Sequence, residues 1–239
     1  MRRLDLTLDT HAANLALDEA LLEEAEEGAS TSETLRLWEA PRPVVVLGRS
    51  SRMADEARVD ECRRRGVPIL RRASGGAAIV AGPGCLMYAV VLSYAVRREL
   101  RPLAAAHEHV MNTLGRALSR RGQEVAFQGT CDLTLAGRKF SGNSMRVKRE
   151  HFLYHGTILY DFPLELIEAC LASPPRVPEY RREREHGEFV TNLPLSRAEL
   201  CESLIKAWNA DEPLETWPRE RVDRLVAERY SQDDWNLRH

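Results

Sequence analysis

Apolar residues recur along this chain at two periods, and the alternation between them predicts its elements. In residues 14–27, Leu15, Leu17, Leu21 and Leu22 fall near helical spacing and acidic residues take the other face, which predicts a helix. Residues 35–38 alternate as a short strand, and the β-branched run 43–48, ended by Gly48, reads as a buried strand. Residues 54–66 form a charged helix with Gly66 as its cap, and 67–70 a strand. Residues 86–94 are a further strand. Residues 103–121 are a helix with the stripe Val110, Leu114 and Leu118, stopped by Gly122. Residues 131–135 and 138–140 flank the turn Ala136-Gly137, a hairpin pattern. Residues 156–160 are strand-like and 163–171 a short helix, while 173–189, rich in Pro, Arg and Glu, read as a surface loop. Helices at 196–208 and 219–230 follow, with a tail reaching Trp235.

Strands thus crowd the first two thirds, with helices between them. The hairpin argues against a doubly wound parallel sheet and for the α/β (α+β) class with antiparallel or mixed pairing. No internal repeat or linker divides residues 1–239, so one domain is expected.

Composition narrows the function classes. The 239 residues are 44% hydrophobic and 29% charged, with a formal net charge of -2. Basic runs at residues 63–65, 71–72 and 181–182 are balanced by acidic residues, so no field for nucleic acid is expected. No apolar run approaches a membrane span, and residues 1–5 lack the apolar core of a signal peptide, so the cytoplasm is the expected compartment. Five scattered cysteines without a Cys-x-x-Cys pair support neither a zinc site nor a disulfide framework.

Candidate chemistry gathers in two glycine-bearing segments beside basic residues. One runs from Arg71 through Arg72, Ser74, Gly75 and Gly76 to Ile79. The other runs from Gly137 through Lys139, Gly142 and Asn143 to Ser144, with His155-Gly156-Thr157 downstream. Each reads as a loop that sets flexible backbone beside a fixed positive charge, as an anionic or carboxylate ligand requires. The Walker and Gly-x-Gly-x-x-Gly patterns are absent. Lys139 is the candidate for neutralising phosphate or carboxylate oxygens. His155 reads as a positioning residue, whereas His107, His109 and His151 read as surface or loop residues. Cys62, Cys85, Cys170 and Cys201 read as buried and inert. Cys131, eight residues before Lys139, is the candidate nucleophile for an acyl thioester.

Taken in order, the chain resembles the lipoate–protein ligase and octanoyltransferase superfamily over roughly residues 5–162. The matching segments are residues 14–21, Leu47-Gly48-Arg49, residues 71–76, Asp132-Leu133, residues 137–144 and residues 155–159. The resemblance implies a mixed, mainly antiparallel sheet flanked by helices, shared with biotin protein ligases and related to class II synthetase cores. It implies transfer of lipoate or octanoate to a lysine of a lipoyl carrier domain, of the 2-oxoacid dehydrogenase E2 or glycine cleavage H protein type. In the ligase branch ATP and magnesium first form an acyl-adenylate.

By the same resemblance Arg72, Ser74, Gly75, Gly76 and Ala77, with His155, Gly156 and Thr157, border the acyl substrate. Lys139 contacts the acyl carbonyl and phosphate as the catalytic residue. Gly142, Asn143 and Asp132 join it at the nucleotide, and Asp132 fits the metal position. Ile79, Val80 and Leu86 would build an apolar slot for eight carbons.

The chain departs from the family pattern in several places. Ala77 replaces a third glycine, and residues 81–84 (Ala-Gly-Pro-Gly) replace polar ones. The accessory C-terminal domain of many ligases is not found, so a separate accessory subunit is a candidate partner. At the two positions where transferases carry a reactive cysteine, this chain has Phe152-Leu153 and Phe127-Gln128. Ligation is therefore the leading expectation. An octanoyltransferase using Cys131 and a non-catalytic acyl- or nucleotide-binding protein are the alternatives. Biotin ligation is disfavoured because its glycine-arginine and Trp-Pro-Asn-Asp signatures are missing.

Overall fold

The structure, a computed structural model, describes residues 1–28, 32–120, 122–173, 178–182 and 184–238. Strand β1 (Arg2–Asp5) leads into α1 (His11–Glu27) and β2 (Thr34–Glu39). Next come β3 (Val44–Leu47), α2 (Met53–Glu56), α3 (Val59–Arg65), β4 (Ile69–Arg71) and β5 (Ile79–Ala81). Then follow β6 (Cys85–Ser93), α4 (Leu103–Leu118), β7 (Val125–Gln128), β8 (Asp132–Leu135), β9 (Arg138–Val147) and β10 (His151–Leu159). The remaining elements are α5 (Glu165–Cys170), α6 (His186–Phe189), α7 (Arg197–Trp208), β11 (Glu212–Pro213), α8 (Arg219–Leu225), extended by a wider turn over Val226–Tyr230, and α9 (Asp233–Asn236).

The main sheet runs β11-β1-β2-β6-β10-β9-β8-β7, and β4-β3-β5 form a second, smaller sheet. In the main sheet β1 pairs in parallel with β2 and β11, and the other pairings are antiparallel. The expected mixed, mainly antiparallel sheet flanked by helices is therefore present.

Period-two alternation divides the side chains of β6 and β10, which are buried throughout. Met87, Ala89, Val91 and Leu153 face a core shared with α1, the small sheet and α5. Tyr88, Val90, Leu92, Phe152 and Tyr154 face a second core against α4 and α7. The stripe Val110, Leu114 and Leu118 of α4 is buried in that second core as its spacing predicts.

Helix α1 starts where the Thr10 side chain accepts a bond from Ala13 N at 3.1 Å. Its polar residues are not all solvated as expected: Asn14, Asp18 and Glu19 are buried. Each has interior partners. Arg36 donates to Asp18 at 2.6 Å and to the Asn14 side chain at 2.7 Å. Arg229 and the Tyr230 hydroxyl donate to Glu19, each at 2.7 Å. A buried charge is tolerated only when paired in this way.

Other expectations are corrected. The helix expected at 54–66 is two, α2 and α3, separated by Ala57-Arg58, although Gly66 does cap the second in the left-handed region. The helix expected at 103–121 ends at Leu118, with Arg121 outside the described residues. Strands β1, β5, β7 and β11 were not expected. The segment 173–189, of which 174–177 and 183 lie outside the described residues, is no simple surface loop. Arg181 and Arg184 stack over Phe189 at 4.9 and 5.3 Å, and Phe189 is buried. His151 is buried against Glu26, and His107 bonds the Tyr154 hydroxyl at 2.9 Å, so neither is a free surface residue.

The segment around α9 straps the β3–β4 corner. Arg71 donates to the carbonyls of Trp235 and Arg238 at 3.0 and 2.6 Å, and to those of Gly48 and Ser51 at 2.7 Å each. The Trp235 indole donates to the Arg71 carbonyl at 2.9 Å, and the Arg71 N–H donates to Asn236 Oδ1 at 3.0 Å.

Candidate active site

One face of the main sheet, the small sheet and the α5–α6 segment enclose a cavity of about 690 Å³. Its apolar wall is formed by Val46, Ile79, Val80, Met87, Leu159, Leu171 and Val190. Its polar end holds Lys139, Asp132, Cys131, Asn143, Thr157 and His155. Arg72, Gly76, Ala77, Gly142 and Gly156 also border it. The two glycine-bearing segments do converge, but the second is strand β9, not a loop. Its pairing with β10, Asn143 opposite Gly156 and Ser144 opposite His155, overrides the weak strand propensity of Gly142-Asn143-Ser144. Leu86 points into the opposite core and does not line the slot, because it is one residue out of phase with Met87.

Lys139 forms an ion pair with Asp132 at 2.7 Å, and the Tyr180 hydroxyl donates to the other Asp132 oxygen at 2.7 Å. The lysine lies across Gly142, where a Cβ would stand 2.9 Å from its Nζ. Asn143 is fully engaged. It accepts from the Tyr88 hydroxyl at 2.5 Å and donates to the Cys131 carbonyl at 2.8 Å. These bonds make Asn143, which also borders the cavity, the brace between β9 and the residues before β8.

The first glycine segment is a true loop, and Arg72 organises it. Its guanidinium donates to the carbonyls of Gly75, Ala77 and Val46 at 2.6, 2.9 and 3.1 Å. Burial pulls that guanidinium down to about 10, with Glu56 acting in the opposite direction, so Arg72 is charged at neutral pH. Gly76 has a φ of 87°, and Gly48 packs so tightly beneath it that a Cβ would stand 1.8 Å from its carbonyl oxygen. Ser74 is buried, and neither it nor Gly75 borders the cavity. The Ser74 hydroxyl bonds His155 Nε2 at 2.6 Å, and Asp18 holds His155 Nδ1 at 3.1 Å.

Cys131 borders the cavity, but its thiol donates to the Asn143 carbonyl at 2.8 Å. Burial pushes this thiol above its usual value, Asp132 adds to the rise, and Lys139 offsets part of it. Cys62 is pushed up to about 12 by burial, in keeping with an inert thiol. Among the described residues no group of three or more His, Cys, Asp or Glu forms a ready-made metal site. Nor is any helix long and apolar enough to cross a membrane.

Residues that sequence reasoning missed include Asp18, Arg36 and Glu56. Glu56 lines the cavity and accepts from Ala78 N at 2.5 Å. The four-residue spacing of Asn14 and Asp18 within a leucine-rich stretch is the one local signal of Asp18's burial. Arg36 and Glu56 meet their partners only through the fold.

The profile of the lipoyl protein ligase A/B catalytic domain matches residues 10–207. A probable lipoate-protein ligase A of Mycoplasma pneumoniae is 26% identical over 236 residues, covering 94% of this chain and 67% of the relative. The octanoyltransferase LipM of Brevibacillus brevis is 24% identical over 263 residues, covering 95% of each. Among solved structures, a bipartite lipoate protein ligase from Thermoplasma acidophilum, described with its E2 lipoyl domain, superposes with a TM-score of 0.83. It is 21% identical and covers 99% of this chain and 95% of its own. A lipoate-protein ligase A bound with ATP gives 0.75 at 22% identity, covering 99% and 98%. At such identity these structures speak to the fold, whereas the profile match spans most of the sequence. The chain belongs to the lipoyl protein ligase A/B catalytic domain family, whose members are named both as lipoate-protein ligases and as octanoyltransferases.

Proposed function

We propose that this protein, with residues 1–239 acting as one catalytic unit, is a lipoate–protein ligase. It joins lipoate or octanoate to ATP as an acyl-adenylate and passes the acyl group to a lysine of a lipoyl carrier domain. The observation that carries this reading is the single cavity in which an apolar wall meets the Lys139–Asp132 pair. An eight-carbon chain suits the wall formed by Val46, Ile79, Val80 and Met87, which leaves its carboxylate at the polar end. A carboxylate acylates poorly because its leaving group is poor. Its attack on the α-phosphorus releases pyrophosphate, and attack by the carrier lysine on the new mixed anhydride releases AMP. Both steps build negative charge on oxygens within reach of a cation such as Lys139.

The donor set fits the co-substrate. Lys139 is partly exposed in the cavity and can exchange Asp132 for a phosphate oxygen. Asp132 offers the one carboxylate that a magnesium ion carried by phosphates requires. Ser74 and Gly75 support the acyl site from behind, in place of the direct contact expected of them, whereas Arg72, Gly76, Ala77, Gly156 and Thr157 border it.

Cys131 in the same cavity favours a second reading, octanoyl transfer from an acyl-carrier thioester. Its raised thiol, donated to a backbone carbonyl, supports ligation instead. The test is the intact mass of an apo lipoyl carrier domain after incubation with the protein. One tube holds lipoate or octanoate with ATP and magnesium; the other holds octanoyl-carrier protein without ATP. Ligation predicts a mass gain in the first tube alone, kept by Cys131→Ala and lost with Lys139→Ala. A gain in the second tube alone, lost with Cys131→Ala, would establish the transferase instead.

A further inference from the structure

Asp18, His155 and Ser74 stand in the order of a hydrolytic triad, with the carboxylate on Nδ1 and the hydroxyl on Nε2. Ser74 is nevertheless sealed, 2% exposed and absent from the cavity lining, so it is no nucleophile. The chain of contacts extends at both ends. Arg36 donates to Asp18 at 2.6 Å, and Arg72 Nε donates to the Ser74 hydroxyl oxygen at 3.1 Å. With the His155 ring neutral, every hydrogen in this chain has a fixed direction. The Asp18 carboxylate can only accept, so His155 carries its hydrogen on Nδ1. His155 Nε2 is left as an acceptor, and the Ser74 hydroxyl hydrogen goes to it. The Ser74 oxygen is thereby free to receive Arg72, which in turn holds the carbonyls of Gly75 and Ala77.

We infer that Asp18 and Ser74 are positioning residues. The buried relay Arg36–Asp18–His155–Ser74–Arg72 selects one tautomer of His155 and one orientation of Arg72, and so shapes the glycine loop at the cavity. A hydrogen-bonded relay of this kind acts as a unit, because reversing one member reverses the next. Asp18→Asn is nearly isosteric and keeps an oxygen for Arg36. It presents an N–H to His155 Nδ1, which forces the hydrogen to Nε2 and turns the Ser74 contact around. Ser74→Ala cuts the same chain one step later. The kinetic consequence rests on the acyl transfer proposed above; the tautomer does not.

The experiment has two arms on the full chain. Nitrogen-15 NMR of the histidine rings, with His155→Gln to assign the signal, reads the tautomer directly. The wild type is expected to show His155 protonated on Nδ1 and Asp18→Asn to show it on Nε2. The same tautomer in both proteins, or Nε2 protonation in the wild type, overturns the relay. In the carrier mass assay, with whichever donor is active, each single variant is expected to lose about tenfold in kcat. The double variant is expected to be no slower than the slower single one, since both cut one chain. Losses that multiply would overturn the relay. If Asp18→Asn does not fold, Ser74→Ala and His155→Gln form the same cycle. If no donor gives turnover, the function proposed above fails, and the tautomer alone decides the relay.

Discussion

At Gly156 the site depends on a side chain that is absent. A Cβ there would stand 1.9 Å from Asn143 Oδ1 and 2.8 Å from the Gly142 carbonyl. Asn143 cannot retreat without giving up Tyr88 or the Cys131 carbonyl. Gly156→Ala is therefore expected to cost about 2 kcal/mol or more in urea unfolding, as overpacking in a dense interior does, and to abolish carrier acylation. The His-Gly-Thr motif was legible in the sequence as part of a site. The reason for its glycine was not, because the colliding atom belongs to the neighbouring strand thirteen residues earlier. Lys139 shows the opposite case. Its place beside a hairpin turn was legible locally, and only its pairing with Asp132 and Tyr180 needed the fold.

The β8–β9 hairpin delivers Lys139 and Asp132 to the cavity. Its two-residue turn puts Ala136 at φ 49° and Gly137 at φ 74°, the left-handed pair that matches strand twist. Alanine is costly there, whereas asparagine tolerates the region. Ala136→Asn is expected to raise stability by about 0.5–1 kcal/mol without altering activity, and a thermal melt with the mass assay would check both. This hairpin was legible because turn chemistry is local. The continuation of β9 through Gly142-Asn143-Ser144 was not, since its pairing with β10 supplies the order that propensity withholds. The buried polar face of α1 was obscured for a similar reason: spacing records which residues share a face, and the partners Arg36 and Arg229 arrive from other elements.

Across the whole molecule, the main sheet separates a scaffold core against α4 and α7 from a core that contains the site. The charge at Asp18 ties the site to global stability. Burial works against its ionised form, but Arg36 and His155 outweigh it, so the carboxyl titrates below the ordinary 3.8. A depressed carboxylate binds fewer protons folded than unfolded. Its contribution is thus fully present above roughly pH 5 and is lost as the pH falls through 3.8 toward its folded value. Asp18→Asn is expected to cost about 3 kcal/mol at pH 7, because Arg36 loses its counter-charge, and markedly less near pH 3. Urea unfolding of both proteins at the two pH values measures the difference. A gap that stayed constant would show that the Asp18 charge contributes nothing.

The strap around α9 also places the site in time. The Arg71 side chain donates to the Trp235 carbonyl and the Trp235 indole donates to the Arg71 carbonyl, a clasp across 164 residues of chain. A growing polypeptide makes the glycine loop first and receives its fastening only when these much later residues leave the ribosome. The hairpin, the central strands and Lys139 can all be assembled by then, while the corner beneath the loop still waits. Competence would arrive only after residues 235–238 have been made, and a nascent chain short of them would hold an unfinished site.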